Sequence, residues 1–411
     1  MPVDDLIVGL DIGTTKICAV IGEYTDTRRI EIVGIGTAPS DGLRKGVVIN
    51  IESTLKAVTK AIEAAEMMSG REVSSVITGI AGAHVEGINS RGVVAVSGRD
   101  REINEEDIRR VIDAARAVVI PMDREVLHVI PQEFVVDDQG GIKNPLDMIG
   151  IRLEAEVHII TGSVTSAQNL LKCVNRAGFR VEDIVLESIA SSRAVLSEEE
   201  KELGVLMIDL GGGTTDVLVF VDGSPYHTDV VAVGGEQVTS DISIVLKTPS
   251  EFAEKLKKES GCCYMPLVDP DEEIFLPGVG GWPSASIPRA ELCKIIQPRM
   301  AEIFSLIRDK MIKKGYLNHL RGGVVLTGGG SMLPGAAELA KEIFGVPARI
   351  GYPFELGGLV SEYKNPMYST AVGLIIYGNE TASKDGEMKS GGRRGKEGLG
   401  RRFRNWMKEF F

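Results

Sequence analysis

No stretch of this chain approaches about 18 consecutive apolar residues, so a transmembrane helix is not expected. The first residues, Met1-Pro-Val-Asp-Asp, are acidic and lead straight into a strand-like run. They lack the basic start and long apolar core of a secretory signal, and a cytosolic protein with peripheral membrane contact is the expectation. Cysteine is scarce, with Cys18, Cys173, Cys262, Cys263 and Cys293 as the full set. The number is odd, no pair has C-x-x-C spacing and no histidine cluster accompanies them, which argues against a disulfide framework or a zinc site. Reduced, mostly buried thiols are expected, and nothing near the vicinal Cys262-Cys263 pair supports redox chemistry. A basic surplus is also missing: 46 Lys+Arg stand against 58 Asp+Glu, a net of −12. That balance argues against a general nucleic-acid binder. Aromatics make up 5% while glycine reaches 48 residues, so tight turns between small, β-branched-rich strands are expected.

What is present is an ordinary globular composition, 43% hydrophobic and 25% charged, over 411 residues. At roughly 150 residues per domain, this length accommodates two to three domains. The acidity is uneven. Residues 379–411 hold nine Lys+Arg and five Asp+Glu, a net of +4, and the other 378 hold 37 and 53, a net of −16. An acidic body with a basic end points to a partner for that end.

Strands alternate with helices along the body. Leu6–Leu10, Cys18–Glu23 and Glu31–Thr37 read as strands, and Ser53–Met68 has helical spacing at Leu55, Val58, Ala61, Ile62 and Ala65. Asn104 precedes a further helix with Asp107 at its third position, an acidic start that suits the helix dipole. A second series runs from Leu203–Leu210 to about Ile350. The alternation predicts α/β layers with a mostly parallel sheet. The two series rhyme: Leu10-Asp-Ile-Gly-Thr-Thr-Lys16 and Leu210-Gly-Gly-Gly-Thr-Thr-Asp216 are each strand, Gly-Thr-Thr turn and strand, with Asp11 or Asp209 before the glycines. A repeat on this scale predicts two related lobes facing a cleft.

Such turns present backbone amides and hydroxyls in a tight concave loop, and glycine lets the backbone approach an anion. Gly13, Thr14 and Thr15, and Gly211, Gly212, Gly213, Thr214 and Thr215, are therefore candidate phosphate contacts. Lys16 supplies a cation for phosphate charge. Asp11 and Asp209 suit Mg²⁺ and its waters, since that ion favours carboxylate and water oxygens. One such turn alone is also an ordinary Asp-Gly hairpin; the matched pair argues for a nucleotide. A third turn, Val324-Val-Leu-Thr-Gly-Gly-Gly-Ser-Met-Leu-Pro-Gly335, reads as buried strand, triple-glycine loop and helix. Gly328, Gly329 and Gly330, with Met332 beside them, offer backbone for a base or ribose to lie against.

In this order the three turns resemble the actin/Hsp70/sugar-kinase ATPase superfamily: two phosphate motifs, then an adenosine motif. Glu187-Ser-Ile-Ala-Ser-Ser-Arg-Ala-Val195 and Ser369-Thr-Ala-Val-Gly-Leu374 also match its connecting segments. The resemblance implies ATP and Mg²⁺ as ligands. It puts Glu187 where some members orient the attacking water, with Asp11 and Asp209 as nucleotide and metal positions first and catalytic ones second. It places Gly234, Gly235, Glu236, Glu254 and Lys257 beside the nucleotide's sugar and base. Taken alone, Glu187 is a helix-terminal acid, and Glu254 and Lys257 are solvated helix residues.

The segments Glu102-Ile-Asn-Glu-Glu-Asp-Ile-Arg109, Ile120–Phe134, Gly141–Pro145 and Gly150–His158 resemble the inserted subdomain of FtsA-like cell-division proteins. The likeness spans about residues 6–378 plus the terminal segment. His128 in it reads as a buried or bridging strand residue. The implied plan is an α/β actin-like ATPase fold, two related lobes each with a central sheet around a nucleotide cleft. It assigns 1–84 to the first-lobe core, with 164–198 and 370–378, and 85–163 to the inserted subdomain. The second-lobe core is 199–235 with 321–369, and its outer subdomain is 236–320. Residues 379–398, polar and rich in Gly, Ser, Lys, Glu and Asp, read as a flexible linker.

The last thirteen residues differ again. Leu399, Phe403, Trp406, Met407, Phe410 and Phe411 fall on one stripe at helical spacing, flanked by Arg401, Arg402, Arg404 and Lys408. A Trp/Phe face bordered by cations suits an anionic bilayer surface. The resemblance identifies this as a membrane-targeting helix. It implies filaments of the protein itself, recruitment of the tubulin-like FtsZ to the membrane at the division site, further divisome partners, and weak or slow ATP hydrolysis. It places the FtsZ tail on the 236–320 subdomain, where Arg289, Lys294 and Arg299 are the candidate contacts for its acidic groups; the loop around 265–285 gives no match. The main competing reading is a small-molecule kinase of the same superfamily, which needs a substrate-facing carboxylate and no amphipathic end. Pilus-assembly or rod-shape bacterial actins are the other alternative, the former usually without such an end and the latter with its membrane segment at the N-terminus. An Hsp70-like chaperone lacks room here for a peptide-binding domain.

Overall fold

A computed structural model describes residues 6–25, 29–276, 284–358 and 361–390. They form two compact units, the first within 1–80, 168–195 and 352–411, the second within 81–167 and 196–351.

The first unit is built on a five-stranded sheet in the order Arg180–Leu186, Ser75–Ile80, Leu6–Ile12, Lys16–Tyr24, Ile30–Pro39. The first three of these run parallel and the last three are joined antiparallel. The sheet is therefore mixed, where alternation alone predicts a mostly parallel one. Residues 13–15 are too few to carry the chain back for a parallel pairing, which needs a crossover of about a dozen residues. Helix Ile51–Ser69 packs on this sheet through Thr54, Ala57, Val58, Ala61, Ile62 and Ala65, a three-and-four spacing. The Asn50 side chain caps its start by accepting from the Ser53 amide, and Gly70 ends it in the left-handed region at φ 66°.

The second unit repeats the plan. Its sheet runs Ser224–Val231, Thr215–Val221, Val205–Leu210, Val324–Thr327, Ala348–Ile350, again a hairpin-linked antiparallel trio followed by two parallel strands. The Gly-Thr-Thr rhyme in the sequence is thus a rhyme of topology.

The inserted segment forms a separate antiparallel sheet, in the order Glu86–Ala95, Arg152–Ser163, Arg124–Val136, Gln139–Ile142. Helix Glu105–Arg116 covers one face over a core that includes Val111, Ala115, Phe134, Leu153 and Val157. The opposite face meets strand Ser224–Val231. There Gln132 donates to the Pro225 carbonyl at 2.9 Å, and Asn89 to that of Tyr226 at 3.1 Å. The His158 ring sits between Asn89 Oδ1 at 2.6 Å and Thr228 Oγ1 at 2.5 Å, and burial holds its pKa down to about 3, so it is a neutral structural bridge. His128 lies half-buried on strand Arg124–Val136.

The Asn104 cap is a full capping box, closed by Asp107. Asp107 is 0% exposed and accepts from the Ser97 amide at 3.0 Å and its hydroxyl at 2.7 Å. Burial opposes its charge, but hydrogen bonds from Ser97, Arg110 and Asn104 outweigh burial and bring the pKa from the ordinary 3.8 to about 2. A depressed carboxyl contributes its stabilisation fully above its unfolded pKa and loses it as the pH falls through the folded one. Asp107→Ala is expected to lower stability at pH 7 by about 2 kcal/mol, with a smaller deficit at pH 2 to 3. Urea unfolding followed by circular dichroism at both pH values checks this.

Helix Ser369–Ser390 closes the described chain and carries the polar stretch from Asn379 as far as Ser390. Composition reads that stretch as linker; continuing a packed helix costs far less than starting one, and its Glu, Lys and Ala residues are good helix formers. Residues 391–398, and the amphipathic Leu399–Phe411, lie outside the described residues. No helix among the described residues is long and apolar enough to cross a membrane. All five cysteines are unpaired and buried, and burial pushes the Cys18 thiol up to about 12.

Candidate functional site

In the first unit the Asp11 turn closes by the Gly13 amide donating to the Lys16 carbonyl at 3.0 Å. Thr14 Oγ1 accepts from the Gly46 amide at 3.1 Å, so its hydroxyl is fixed by a neighbouring loop. Asp11 is 8% exposed, and burial raises its pKa although Lys16 works against that. Lys16 donates to the Met367 carbonyl at 2.5 Å and lies 4.6 Å from the centre of the Tyr368 ring. Glu187 opens helix Glu187–Val195 directly after strand Arg180–Leu186. It packs over Gly79, where a Cβ would stand 2.7 Å from Glu187 Cγ. Asp11 and Glu187 thus sit at the carboxyl ends of parallel strands, the edge at which open α/β sheets bind ligands.

The second unit shows the same edge. The Gly211 amide closes the turn on the Thr214 carbonyl at 3.0 Å. Asp209, Thr214, Thr215 and Asp216 are all buried. Helix Gly235–Val245 holds the turn from outside: the Gly235 amide donates to the Gly211 carbonyl at 2.9 Å and Glu236 to Gly212 at 2.8 Å. These first helical amides brace the turn. Strands Val205–Leu210 and Val324–Thr327 run parallel with Asp209 opposite Thr327, so the triple-glycine loop begins beside the Asp209 carboxylate. A Cβ on Gly328 would stand 2.2 Å from Asp209 Oδ1. The second Gly-Thr-Thr turn and the triple-glycine loop, more than a hundred residues apart in the chain, thus come together at Asp209 and Gly328. Met332 is 48% exposed at the end of that loop.

Glu254 and Lys257, which look solvated by spacing alone, form a network. Lys257 pairs with Glu254 at 2.6 Å and donates to the Gly235 carbonyl at 3.0 Å and to Thr239 Oγ1 at 2.9 Å. Thr239 also donates to Glu254. Burial tends to raise the Glu254 pKa, but Lys257, Thr239 and Lys258 more than offset it and hold the carboxyl below its usual range. Burial lowers that of Lys257 despite its partner. Sequence reading misses Thr239, which has no motif; its spacing from Gly235, one helical turn, is the available signal.

Lys294 and Arg299 line an open groove with Asp241, Val245, Leu246, Glu291, Ile295, Pro298 and Glu302, and Lys294 pairs with Glu291 at 2.7 Å. Arg299 is held by Asp241 at 2.7 and 3.1 Å and pairs with Glu302. Arg289 is not among the lining residues; it donates to the Ser260 carbonyl and to Glu272, each at 2.7 Å. The donors present in the two turns, buried carboxylates beside backbone amides, suit hydrated Mg²⁺ and phosphate. No cluster of three His, Cys, Asp or Glu side chains that could hold a metal ion directly occurs among the described residues.

Two family models match the chain: one for the cell division protein FtsA over residues 206–373, the other for the SHS2 domain inserted in it over 82–161. The chain is 52% identical to the cell division protein FtsA of Borreliella burgdorferi over 92% of this chain and 91% of that one. It is 47% identical to the same-named protein of Pseudomonas aeruginosa over 94% and 92%, and 40% identical to that of Escherichia coli K12 over 92% and 91%. Among solved structures, the PilM-PilN type IV pilus biogenesis complex superposes with a TM-score of 0.64 at 16% identity, over 91% of this chain and 98% of that one. MreB5 of Spiroplasma citri bound to ADP superposes with a TM-score of 0.56 at 15% identity, over 94% and 99%.

Proposed function

Since this chain belongs to the FtsA family of cell-division proteins and has the actin-like ATPase fold, we propose that it binds ATP with Mg²⁺, assembles with its own copies into filaments, and tethers FtsZ to the cytoplasmic face of the cell membrane at the division site. The observation that supports the nucleotide part is the closeness of Gly328 to Asp209 at the ends of adjacent parallel strands, where a Cβ would stand 2.2 Å from Asp209 Oδ1. The MreB5 relative in fold is bound to ADP. Gly13–Lys16 and Gly211–Thr215 take the phosphates, Gly328–Gly330 and Met332 the adenosine, and the Glu254–Lys257 pair with Gly234–Glu236 borders the sugar. Asp11 and Asp209 would hold Mg²⁺ through water, and the ion would supply positive charge for the phosphates. Glu187, a carboxylate at the sheet edge, orients a water for slow hydrolysis.

The FtsZ tail is assigned to the groove of Lys294 and Arg299 by its apolar floor of Val245, Leu246 and Ile295, which suits apolar anchors of a peptide; the two cations are already paired with Glu291 and with Asp241 and Glu302, so acidic groups of the tail would exchange with those carboxylates. Arg299→Ala is expected to weaken an FtsZ tail peptide about tenfold in fluorescence anisotropy while ATP affinity holds. Equal affinity would remove the groove from this reading. The whole reading is tested by electron microscopy on anionic lipid monolayers with ATP, with and without the tail peptide. Filaments that change with the peptide are expected; bare monolayers would overturn it. Recruitment of further division proteins follows from the same assembly.

A further inference from the structure

We infer that Lys16 is a two-position relay between the first unit's phosphate turn and the C-terminal helix, released from the helix root when phosphate is bound; this rests on the nucleotide reading above. The Lys16 ammonium now serves the segment that opens helix Ser369–Ser390. It donates to the Met367 carbonyl at 2.5 Å and sits 4.6 Å from the Tyr368 ring centre. Met367 and Tyr368 belong to the short turn Pro366–Tyr368, capped by the Asn365 side chain, and the helix follows without a break.

The helix has no slack against the elements that carry the other candidate residues. A Cβ on Gly9, two residues before Asp11, would stand 2.2 Å from the Ala371 carbonyl oxygen. A Cβ on Gly373 would stand 1.8 Å from that of Ala190, on the helix that Glu187 opens. Further along, the Tyr377 hydroxyl donates to Asp183 at 3.2 Å and Arg193 pairs with Glu380. Backbone in such close contact transmits a shift of its first turn rather than absorbing it.

Two partner sets compete for one ammonium. A neutral carbonyl and a ring face hold it less strongly than phosphate oxygens do, because phosphate brings a full opposite charge where the carbonyl offers a dipole and the ring a quadrupole. Phosphate in the Asp11 turn therefore draws the amine away from Met367 and Tyr368 and loosens the turn that starts the helix. The basic, aromatic segment 399–411 follows that helix in sequence, so occupancy of the turn is sensed at the root of the proposed anchor.

The test is hydrogen exchange by mass spectrometry on the full chain, with ATP affinity measured in parallel on the same preparation. ATP with Mg²⁺ is expected to speed exchange of amides 367–372. Tyr368→Leu, which removes the ring face, should speed the same amides without ATP and tighten ATP about two- to fivefold. Tyr368→Phe, which keeps the ring, should match the wild type. Bound ATP with unchanged exchange in the wild type overturns the relay, as does weaker ATP binding by Tyr368→Leu, which would make the ring a support for Lys16 and not a competitor. Absence of ATP binding by the wild type would sink the nucleotide reading itself, and the relay with it.

Discussion

A chain truncated after Gly398 is expected to lose binding to anionic liposomes by at least about 100-fold and to keep its affinity for ATP. The deleted Leu399–Phe411 carries Phe403, Trp406, Phe410 and Phe411, and each large side chain buried from water is worth about 1.5–3 kcal/mol. Arg401, Arg402, Arg404 and Lys408 add roughly 1 kcal/mol each near anionic lipid. Ordering thirteen residues costs part of that sum, since so short a helix is marginal in water. What is left still exceeds the roughly 2.8 kcal/mol that 100-fold represents. The rest of the chain cannot replace it: outside residues 379–411 the net charge is −16, which anionic lipid repels. Co-sedimentation with vesicles of graded anionic content checks this. Raising the salt should weaken the intact chain's binding, through the cations, without abolishing it, through the aromatics. Undiminished sedimentation of the truncated chain would end the tether proposal.

The features legible in the sequence are those with a local signature. A Gly-Thr-Thr turn between apolar runs reads as a hairpin, so the strands flanking Asp11 and Asp209 follow from about seven residues each, and both are present. The Asn104 cap with Asp107 three residues on is equally local. What escapes is whatever depends on pairing across the chain. Whether strands run parallel is set by the length of each connection, and the turns of three and four residues force antiparallel trios inside sheets that alternation predicts as mostly parallel. The partners of Lys16, Met367 and Tyr368, lie 351 and 352 residues away. Glu254 looks solvated until Lys257, Lys258 and Thr239 are found around it. The Ser369–Ser390 helix runs through a polar stretch because its first turns are packed on Gly9 and Ala190, which no window of residues 379–390 contains. Distances of this kind come from tertiary packing, which overrides local propensity.

Gly328→Ala is expected to weaken ATP binding by at least about 100-fold while the second unit remains folded. Two penalties act at this position. Its φ of 79° lies in the left-handed region, where an L side chain costs about 1–2 kcal/mol. The added methyl would also stand 2.2 Å from Asp209 Oδ1, 2.7 Å from the Leu210 carbonyl oxygen and 2.9 Å from the Leu210 amide nitrogen. The backbone contacts cannot yield cheaply, so either the loop lifts off the strand or the Asp209 carboxylate turns away. Each outcome damages the proposed site, the first by displacing the adenosine loop and the second by removing the Mg²⁺ carboxylate. Gly345→Ala separates strain from collision. Gly345 has φ 70°, yet a Cβ there meets nothing within 4 Å. That change should cost about 1 kcal/mol of stability and leave ATP binding as it was. Isothermal titration with ATP and Mg²⁺, beside thermal unfolding of both variants, reads the two effects apart. Wild-type affinity in Gly328→Ala would mean that the triple-glycine loop and Asp209 do not share a ligand, and the nucleotide reading of this unit would fall.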